Sequence, residues 1–188
     1  MLVDSDPVRA AIVEQYLQEN EYYVVQRLDS TRDLAAQIEH SQPDVIVFDV
    51  DSPDRDTLED VHLATRDEPR PIVLFADSSE HTTMDQAVKA GVSAFVVDGL
   101  SQSRIRPIIE VAIARFEEYQ SLKAELSEVK SKLADRKDID IAKGLLQKHH
   151  KMNEEAAYQA LRKIAMDQKI TIGTAARNLI SISKIVGA

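Results

Sequence analysis

Short apolar runs alternate with amphipathic segments over the first 100 residues. β-branched and aromatic residues concentrate in runs at residues 2–3, 22–28, 44–50, 71–76 and 93–98. The segments between these runs carry apolar residues three or four positions apart, which is the period of one helix face. Strands that alternate with helices indicate βαβ units. The pattern therefore predicts a flavodoxin-like, doubly wound α/β domain with a five-stranded parallel sheet and five helices.

A long helical pattern begins near Ser101 and, apart from Pro107 near its start, meets no strong helix breaker before Gly144. Within it, apolar residues recur at alternating spacings of three and four: Tyr119, Leu122, Leu126, Val129 and Leu133. Such a heptad seam predicts a coiled coil, most simply with a second copy of the chain in a homodimer. The alternative is that this stripe packs against its own chain.

Two further helical patterns follow, with Asn153 and Thr171 at the positions of N-caps. Their apolar stripes are rich in Ala, which predicts a small three-helix C-terminal domain with closely packed backbones. Gly144 lies inside the end of the long helix, where Gly costs about 1 kcal/mol relative to Ala. Either a tight helix crossing or the close approach of a ligand backbone would explain this Gly. Tyr158 and Met166 lie on an apolar stripe, so we expect both in the core.

Charge is distributed unevenly along the chain, whose net charge is −9. Residues 1–115 contain 22 acidic and 10 basic side chains, whereas residues 136–188 contain 5 acidic and 10 basic ones. A basic end on an acidic body suggests an anionic partner for that end alone. The alternative is a solvated surface of mixed charge.

Composition narrows the function classes further. The absence of Cys excludes a disulfide framework, a zinc ribbon and a thiol nucleophile. No stretch approaches the ~18 apolar residues of a membrane span, and the N-terminus lacks a signal-peptide pattern, so we expect a cytoplasmic protein without a membrane partner. No Ser/His/Asp set or Gly-rich phosphate loop is recognisable, so we do not expect an enzyme. The first strand is so short that either the natural start lies upstream or a short strand is tolerated.

Three carboxylates end or follow predicted strands at one edge of the sheet: Asp4, Asp49 and Asp51. Ligands of open α/β sheets bind in the crevice at the carboxyl ends of the strands. Carboxylate oxygens suit a hard divalent cation, and a carboxylate can also accept a phosphoryl group. The sequence therefore predicts a candidate Mg²⁺ site at these three residues, although no cofactor is expected to be required.

The segments "LVDSDP", "DVIVFDVDSP", "PIVLFADSS" and "AGVSAFVVDG" make the first 115 residues resemble a response-regulator receiver domain. The resemblance implies that Asp49 occupies the phospho-acceptor position and that Asp4 belongs to the acidic pair. It also implies that Asp51 offers its backbone carbonyl to the metal.

Three positions depart from the receiver pattern. Ser5 replaces the second member of the acidic pair, Ala76 stands where receivers usually carry Ser or Thr, and Asp98 stands where they carry Lys. A carboxylate at Asp98 would repel a phosphoryl group because both are negative. We therefore expect a degenerate receiver in which Asp49 is a vestigial phospho-acceptor. A phosphorylation-switched response regulator is the alternative.

Residues 136 to about 182 resemble the ANTAR domain, an RNA-binding antiterminator module. Five landmarks carry the resemblance: Ala142-Lys143-Gly144, Glu155-Ala156-Ala157-Tyr158, Leu161-Arg162, Ala165-Met166 and Ala175-Ala176. The predicted domains are a receiver at 1–115, a coiled-coil linker helix at 116–137 and an ANTAR domain at 138–188. Two segments before this domain, "SPDRDTLEDVHLATRDEPRPIV" at residues 52–73 and "ARFEEYQSL" at residues 114–122, resemble the nitrate- and nitrite-responsive, NasT-like branch more than the amidase regulators.

This resemblance implies a transcription antiterminator that binds paired small hairpins in a leader mRNA and is controlled through its receiver-like domain. It also implies a nitrate/nitrite sensor protein as partner. The candidate RNA-binding residues are Arg136, Lys137, Lys143, Gln159, Arg162, Lys163 and Arg177. Cations in such positions contact phosphates, while amides and guanidiniums reach unpaired bases. A coiled-coil adaptor without RNA binding is a further alternative.

Overall fold

In the computed structural model, residues 1–77, 81–97 and 101–186 are described, with the side chains of His81, Ile185 and Val186 outside the description. The chain divides into two compact units, Met1–Gln120 and Ser121–Ala188. Within the described ranges, no helix is both long enough and apolar enough to cross a membrane.

The first unit alternates strands with helices. Its strands are β1 (Leu2–Val3), β2 (Arg27–Leu28), β3 (Ile46–Val50), β4 (Ile72–Ala76) and β5 (Ala94–Val97). Its helices are α1 (Pro7–Glu19), α2 (Leu34–Ser41), α3 (Arg55–Ala64), α4 (His81–Ala90) and the first part of α5 (Gln102–His150). All strand pairs are parallel, in the order β2-β1-β3-β4-β5. The predicted doubly wound α/β fold is confirmed.

The sheet is buried on both faces, which explains why its central strands are apolar at successive positions. Phe48 and Leu74 point into a core shared with α2, α3 and α4. Val47 and Phe75 point into the opposite core, shared with α1 and the start of α5. Strand order reverses between β1 and β3, so the crevice at their carboxyl ends is the place where this fold binds ligands.

The second strand is shorter than the apolar run at residues 22–28 predicted. Glu21 has a left-handed backbone with φ of 68°, and the N–H of Tyr22 donates to the carbonyl of Leu17 at 2.9 Å. The chain is therefore still closing the end of α1 at this point. Tyr22 and Val24 then pack against the core below α1, and strand pairing begins only at Arg27.

The second unit contains the rest of α5 together with α6 (Glu154–Gln168) and α7 (Ile172–Val186). Both predicted N-caps are confirmed: Asn153 accepts from the N–H of Ala156 at 2.8 Å, and Thr171 accepts from that of Thr174 at 3.1 Å. Small and branched residues form the core of the three helices: Ala142, Leu146, Ala157, Leu161 and Ala176. The predicted three-helix arrangement is confirmed.

The two helical glycines of this unit have different surroundings. A Cβ placed on Gly144 would meet no described atom within 4 Å, so a tight helix crossing does not explain this Gly. A Cβ on Gly173, by contrast, would overlap the carboxylate of Asp135. Gly173 therefore leaves room for an acidic side chain of α5, and a ligand backbone at Gly144 stays a prediction.

Candidate functional site

The solvent-facing side of α6 combines aromatic, amide and cationic side chains. Ala157, Leu161 and Ala165 face the core, while the residues beside them are exposed. We call the exposed set the α6 face: Tyr158, Gln159, Arg162, Lys163 and Met166. Within the described part of the chain, no carboxylate forms an ion pair with either of its cations.

Two residues of the α6 face were expected in the core. Tyr158 is 36% exposed and Met166 is 68% exposed, so both core predictions are wrong. The physical reason is the direction of the buried line, which runs through residues 157, 161 and 165 at intervals of four. Each of the two lies one residue after a buried position, which rotates its side chain about 100° around the helix.

A second cationic surface runs along the end of α5. Arg136 and Lys137 are exposed, as predicted for RNA-binding residues. Lys148 and Lys151 are exposed too, although sequence reasoning did not select them. Spacings of four, three and four put Lys137, Ile141, Gly144 and Lys148 on one helix face. That spacing is the signal that could have found Lys148.

Lys143 is engaged inside the second unit. Its ammonium lies 2.8 Å from a carboxylate oxygen of Asp140 and 2.9 Å from one of Glu154, and its side chain is only 16% exposed. These two hydrogen bonds, the one to Asp140 first, raise the pKa of Lys143. Because Glu154 begins α6, Lys143 ties that helix to α5. The structure contains no contact that tests the predicted role of Lys143 in RNA binding among the described residues.

Arg177 is engaged in a similar way. Its guanidinium is 2.5 Å from a carboxylate oxygen of Asp135 and 3.6 Å from one of Asp138. It also donates to the hydroxyl of Thr174 at 3.2 Å. Arg177 therefore joins α7 to α5 beside Gly173, through the same carboxylate of Asp135.

The predicted coiled-coil seam is an exposed stripe on α5. Its five residues, Tyr119 to Leu133, are 54% to 69% exposed. The same alternation of three and four continues along the helix with polar side chains: Arg136, Asp140, Lys143 and Gln147. One face of a single helix thus changes from apolar to polar after Leu133.

In the first unit, Arg9 lies among the predicted metal ligands. Its guanidinium donates to the carboxylate of Asp4 at 2.8 Å from Nη2 and 3.1 Å from Nε. It also donates to the carboxylate of Asp51 and, at 3.2 Å, to the backbone carbonyl of Asp49. The nearest carboxylate oxygen of Asp49 is 3.7 Å from Nε of Arg9.

The carboxylate of Asp49 is less well compensated than that of Asp4. Burial raises the pKa of Asp49 to about 6, and the neighbouring carboxylates of Asp4, Asp77 and Asp51 act in the same direction. Arg9 opposes this rise without cancelling it. The pKa of Arg9 is itself raised further, mainly by its hydrogen bond to Asp4. Among the described residues, the crevice therefore contains one permanent cation beside several carboxylates.

Comparison with known proteins identifies both units. The chain matches the response regulator receiver domain over residues 1–110 and the ANTAR domain over residues 127–180. The transcriptional regulatory protein PdtaR of Mycobacterium tuberculosis is 31% identical over 169 residues, which cover 90% of this chain and 82% of that protein. This chain belongs to the response regulators that join a receiver domain to an ANTAR domain.

Other similarities are more local. The Nitrate regulatory protein of Klebsiella oxytoca is 40% identical over 68 residues, which are 36% of this chain and 17% of that protein. A receiver domain of a modulated diguanylate cyclase from Desulfovibrio desulfuricans has a TM-score of 0.55 at 18% identity, covering 63% of this chain and 94% of that one. A CheY-like receiver from Methanospirillum hungatei has a TM-score of 0.54 at 18% identity, with the same coverage. These two structures establish the receiver fold alone.

Two of the three departures from the receiver pattern can be placed in the structure. Ser5 is exposed beside the buried Asp4, and Ala76 is fully buried at the end of β4. Asp98 lies outside the described residues. The predicted phospho-acceptor Asp49 lies in β3, one residue before its end, and only 4% of its side chain is exposed.

The receiver crevice does not fit the predicted Mg²⁺ site at Asp4, Asp49 and Asp51. The Arg9 guanidinium stands between these residues and donates to oxygens of all three. Across the described ranges, no three His, Asp or Glu side chains come close enough together to hold a metal ion.

Proposed function

We propose that this protein is a transcription antiterminator whose ANTAR domain binds leader RNA through the α6 face. The observation that supports the proposal most directly is that the side chains of Tyr158 and Arg162 are both exposed on α6. Tyr158 and Arg162 are four residues apart in α6, so their side chains lie on the same face of the helix. Together they offer stacking and hydrogen bonding to nucleotides.

The chemistry of the α6 face suits single-stranded loops. Bases in a hairpin loop are unstacked, so an aromatic ring can stack on them at a gain of about 1–3 kcal/mol per base. Arg162 carries donors that can reach base edges, and Lys163 can contact a phosphate. The side-chain amide of Gln159 donates to the carboxylate of Glu155 at 2.9 Å, which leaves its second N–H for a base edge. A duplex groove would offer none of these stacking contacts.

The exposed cations of α5, together with Lys151 just after its end, extend this surface in our proposal. Phosphates of the RNA would be contacted by Arg136, Lys137, Lys148 and Lys151. Because Gly144 has no side chain, the RNA backbone could approach the helix between these cations. Lys143 and Arg177 would act differently. Their ion pairs hold α6 and α7 against α5 and so shape the surface from within.

We propose that two copies of the chain associate through the apolar seam at Tyr119, Leu122, Leu126, Val129 and Leu133. Five exposed apolar residues at heptad spacing are self-complementary in a parallel coiled coil. The change to polar residues after Leu133 would end the packing there. A dimer would carry two ANTAR domains, which matches a leader RNA with two small hairpins.

We further propose that a sensor protein controls RNA binding through the receiver domain, in response to nitrate or nitrite. Support for this signal comes from the similarity to the Nitrate regulatory protein over 68 residues. Leader RNAs from nitrate-assimilation genes are therefore the first targets to test.

The test is a gel shift of the full chain with a two-hairpin leader RNA of this class. The matched control is the same RNA with scrambled loop sequences and intact stems. We expect the native loops to bind at least about tenfold more tightly, because loop bases carry the sequence-dependent contacts. Equal affinity for the two RNAs would refute recognition of the loops.

Two alternatives predict different results. A phosphorylation-switched regulator would form an aspartyl-phosphate at Asp49 when incubated with a small phosphodonor and Mg²⁺, and this would change its RNA affinity. A coiled-coil adaptor would keep its cellular function after deletion of residues 136–188. An antiterminator would lose its function in the same deletion.

A further inference from the structure

We propose that Arg9 takes the place of a divalent cation in the receiver crevice, so that the domain holds this crevice together with a tethered guanidinium and does not bind Mg²⁺ there. This role of Arg9 belongs to the receiver domain alone and does not depend on RNA binding. A bound cation would need oxygen atoms of Asp4, Asp49 and Asp51 as ligands.

Most of these oxygens already accept hydrogen bonds. One carboxylate oxygen of Asp4 accepts from Arg9 and, at 2.9 Å, from the backbone N–H of Asp6, while the other accepts from Nε of Arg9. The backbone carbonyl of Asp51, which the receiver resemblance assigns to the metal, accepts from the N–H of Asp77 at 3.2 Å. Only the carboxylate of Asp49 lacks a close donor among the described residues.

The position of Arg9 follows from the local sequence. Asp6 caps α1 by accepting from the N–H groups of Val8 and Arg9, at 2.8 and 3.2 Å. This cap begins the helix immediately after Asp4 and puts Arg9 in the first turn. Its long side chain then returns across the end of β1 and reaches β3 at Asp49. The reach is short because Arg9 follows Asp4 by only five residues.

A guanidinium and a magnesium ion need different surroundings. Arg presents five N–H donors in a plane, and here those that reach Asp4 and the backbone carbonyl of Asp49 lie at ordinary hydrogen-bond distances of 2.8 to 3.2 Å. Mg²⁺ requires six oxygens in an octahedron at about 2.0–2.1 Å. Ser5 stands where receivers carry a second carboxylate, which removes one ligand from such an octahedron. The arrangement therefore favours the guanidinium.

The negative charge of the crevice is a second reason to expect that it could bind a metal cation if Arg9 were removed. Among the described residues, Arg9 is the cation that pairs with the carboxylates of Asp4, Asp49 and Asp51. Burial is the main cause of the raised pKa of Asp49, and the neighbouring carboxylates add to it. Removing Arg9 would leave these carboxylates without their counter-ion. The crevice should then attract a divalent cation that it does not bind in the wild type.

Mn²⁺ titration of the full chain, followed by the electron paramagnetic resonance signal of the free ion, tests this proposal. The variants are Arg9→Ala, Asp49→Asn and the two combined. In the wild type, Asp49→Asn should not change Mn²⁺ binding. Arg9→Ala should add a site at least about tenfold tighter than any in the wild type, and Asp49→Asn should remove the added site. Arg27→Ala is the matched control, because Arg27 is a surface Arg paired with Glu14.

A wild-type Mn²⁺ site that disappears in Asp49→Asn would overturn the proposal. A folded Arg9→Ala protein without a new site would overturn it as well. If circular dichroism shows that Arg9→Ala does not fold, Arg9→Gln replaces it and keeps one neutral donor in the crevice. If neither variant folds, the comparison of wild type with Asp49→Asn decides the question alone.

Discussion

In the receiver domain Arg9 is surrounded by carboxylates, whereas in the ANTAR domain Arg162 and Lys163 extend into solvent without an ion pair to any described residue. The two regions also differ in net charge, since residues 1–115 are acidic and residues 136–188 basic. The difference in net charge can be read from the sequence alone. Which cations are available to a binding partner cannot be read from it.

Availability depends on the nearest carboxylate. Lys143 and Arg177 lie in the basic region, yet their charges are committed to Asp140, Glu154 and Asp135. Exposed ion pairs contribute little stability, about 0–1 kcal/mol, but they occupy the donors that RNA would need. A binding surface therefore consists of the cations that remain free after intramolecular pairing.

The largest expected effect concerns the number of ANTAR domains that act together. Leu126→Glu combined with Leu133→Glu should separate the proposed dimer, because like charges would face each other across the seam. Affinity for a two-hairpin RNA should then fall about 10²–10⁴-fold, as the second contact becomes intermolecular. Analytical ultracentrifugation and gel shifts measure the two effects.

The control for this prediction is Ala124→Glu combined with Ser131→Glu. These exposed positions have the same spacing of seven residues on the opposite face of α5. The control should remain dimeric with native affinity. Identical loss in both double variants would show that added charge, and not the seam, is responsible.

The next largest effect distinguishes cations without an intramolecular ion pair from cations that have one. Arg162→Ala combined with Lys163→Ala should weaken RNA binding about 30-fold. The slope of log K against log salt concentration should become less steep by about 0.7 for each lost phosphate contact. Lys143→Ala should leave the salt dependence unchanged, because its ammonium is engaged with Asp140 and Glu154. A flatter slope in Lys143→Ala would contradict the division into free and engaged cations.

On the receiver side, Asp49→Asn should stabilise the protein by roughly 3 kcal/mol above pH 7, since each of about two pKa units corresponds to about 1.4 kcal/mol. The pKa of Asp49 is raised to about 6 by burial, so the folded state binds its proton more tightly than the unfolded state. The stability of the wild type should therefore fall as pH rises from about 4 to 6, and its deficit relative to the variant should disappear towards pH 4.

Urea unfolding followed by circular dichroism at pH 4.5 and pH 7.5 measures this difference. Asp85→Asn, at an exposed position on α4, serves as the control and should change little at either pH. A gain in Asp49→Asn that becomes larger at the lower pH would have the wrong sign for a buried carboxylate.

The smallest effect concerns stacking. Tyr158→Leu should reduce affinity for the native loops about five- to tenfold, whereas Tyr158→Phe should keep most of it because the ring remains. Affinity for the scrambled-loop RNA should change less. An equal loss with Leu and with Phe would indicate a role for the hydroxyl or for packing, and not for a stacked base.

The sequence predicts the periodic features of this molecule well. Alternating apolar runs indicate the parallel sheet, and Asn153 and Thr171 indicate where α6 and α7 begin. These features depend on residues that are close along the chain, so local spacing carries the information. The heptad positions of α5 can be found in the same way.

Features that depend on contacts between distant residues escape such reasoning. Arg9 meets Asp51 across 42 residues, and Arg177 meets Asp135 across the same separation. Tyr158 was misplaced for a smaller reason, since a shift of one residue decides which side of α6 it occupies. The exposure of Tyr158 and the ion pairs of Arg9 and Arg177 could therefore be established only from the structure.

Crosslinking of RNA to the full chain tests the central claim most directly. A two-hairpin leader RNA carrying 4-thiouridine in its loops is irradiated in the complex, and the crosslinked peptides are identified by mass spectrometry. The account predicts crosslinks within residues 154–168, at or beside Tyr158. Crosslinks confined to the receiver domain, with none in α6, would contradict it.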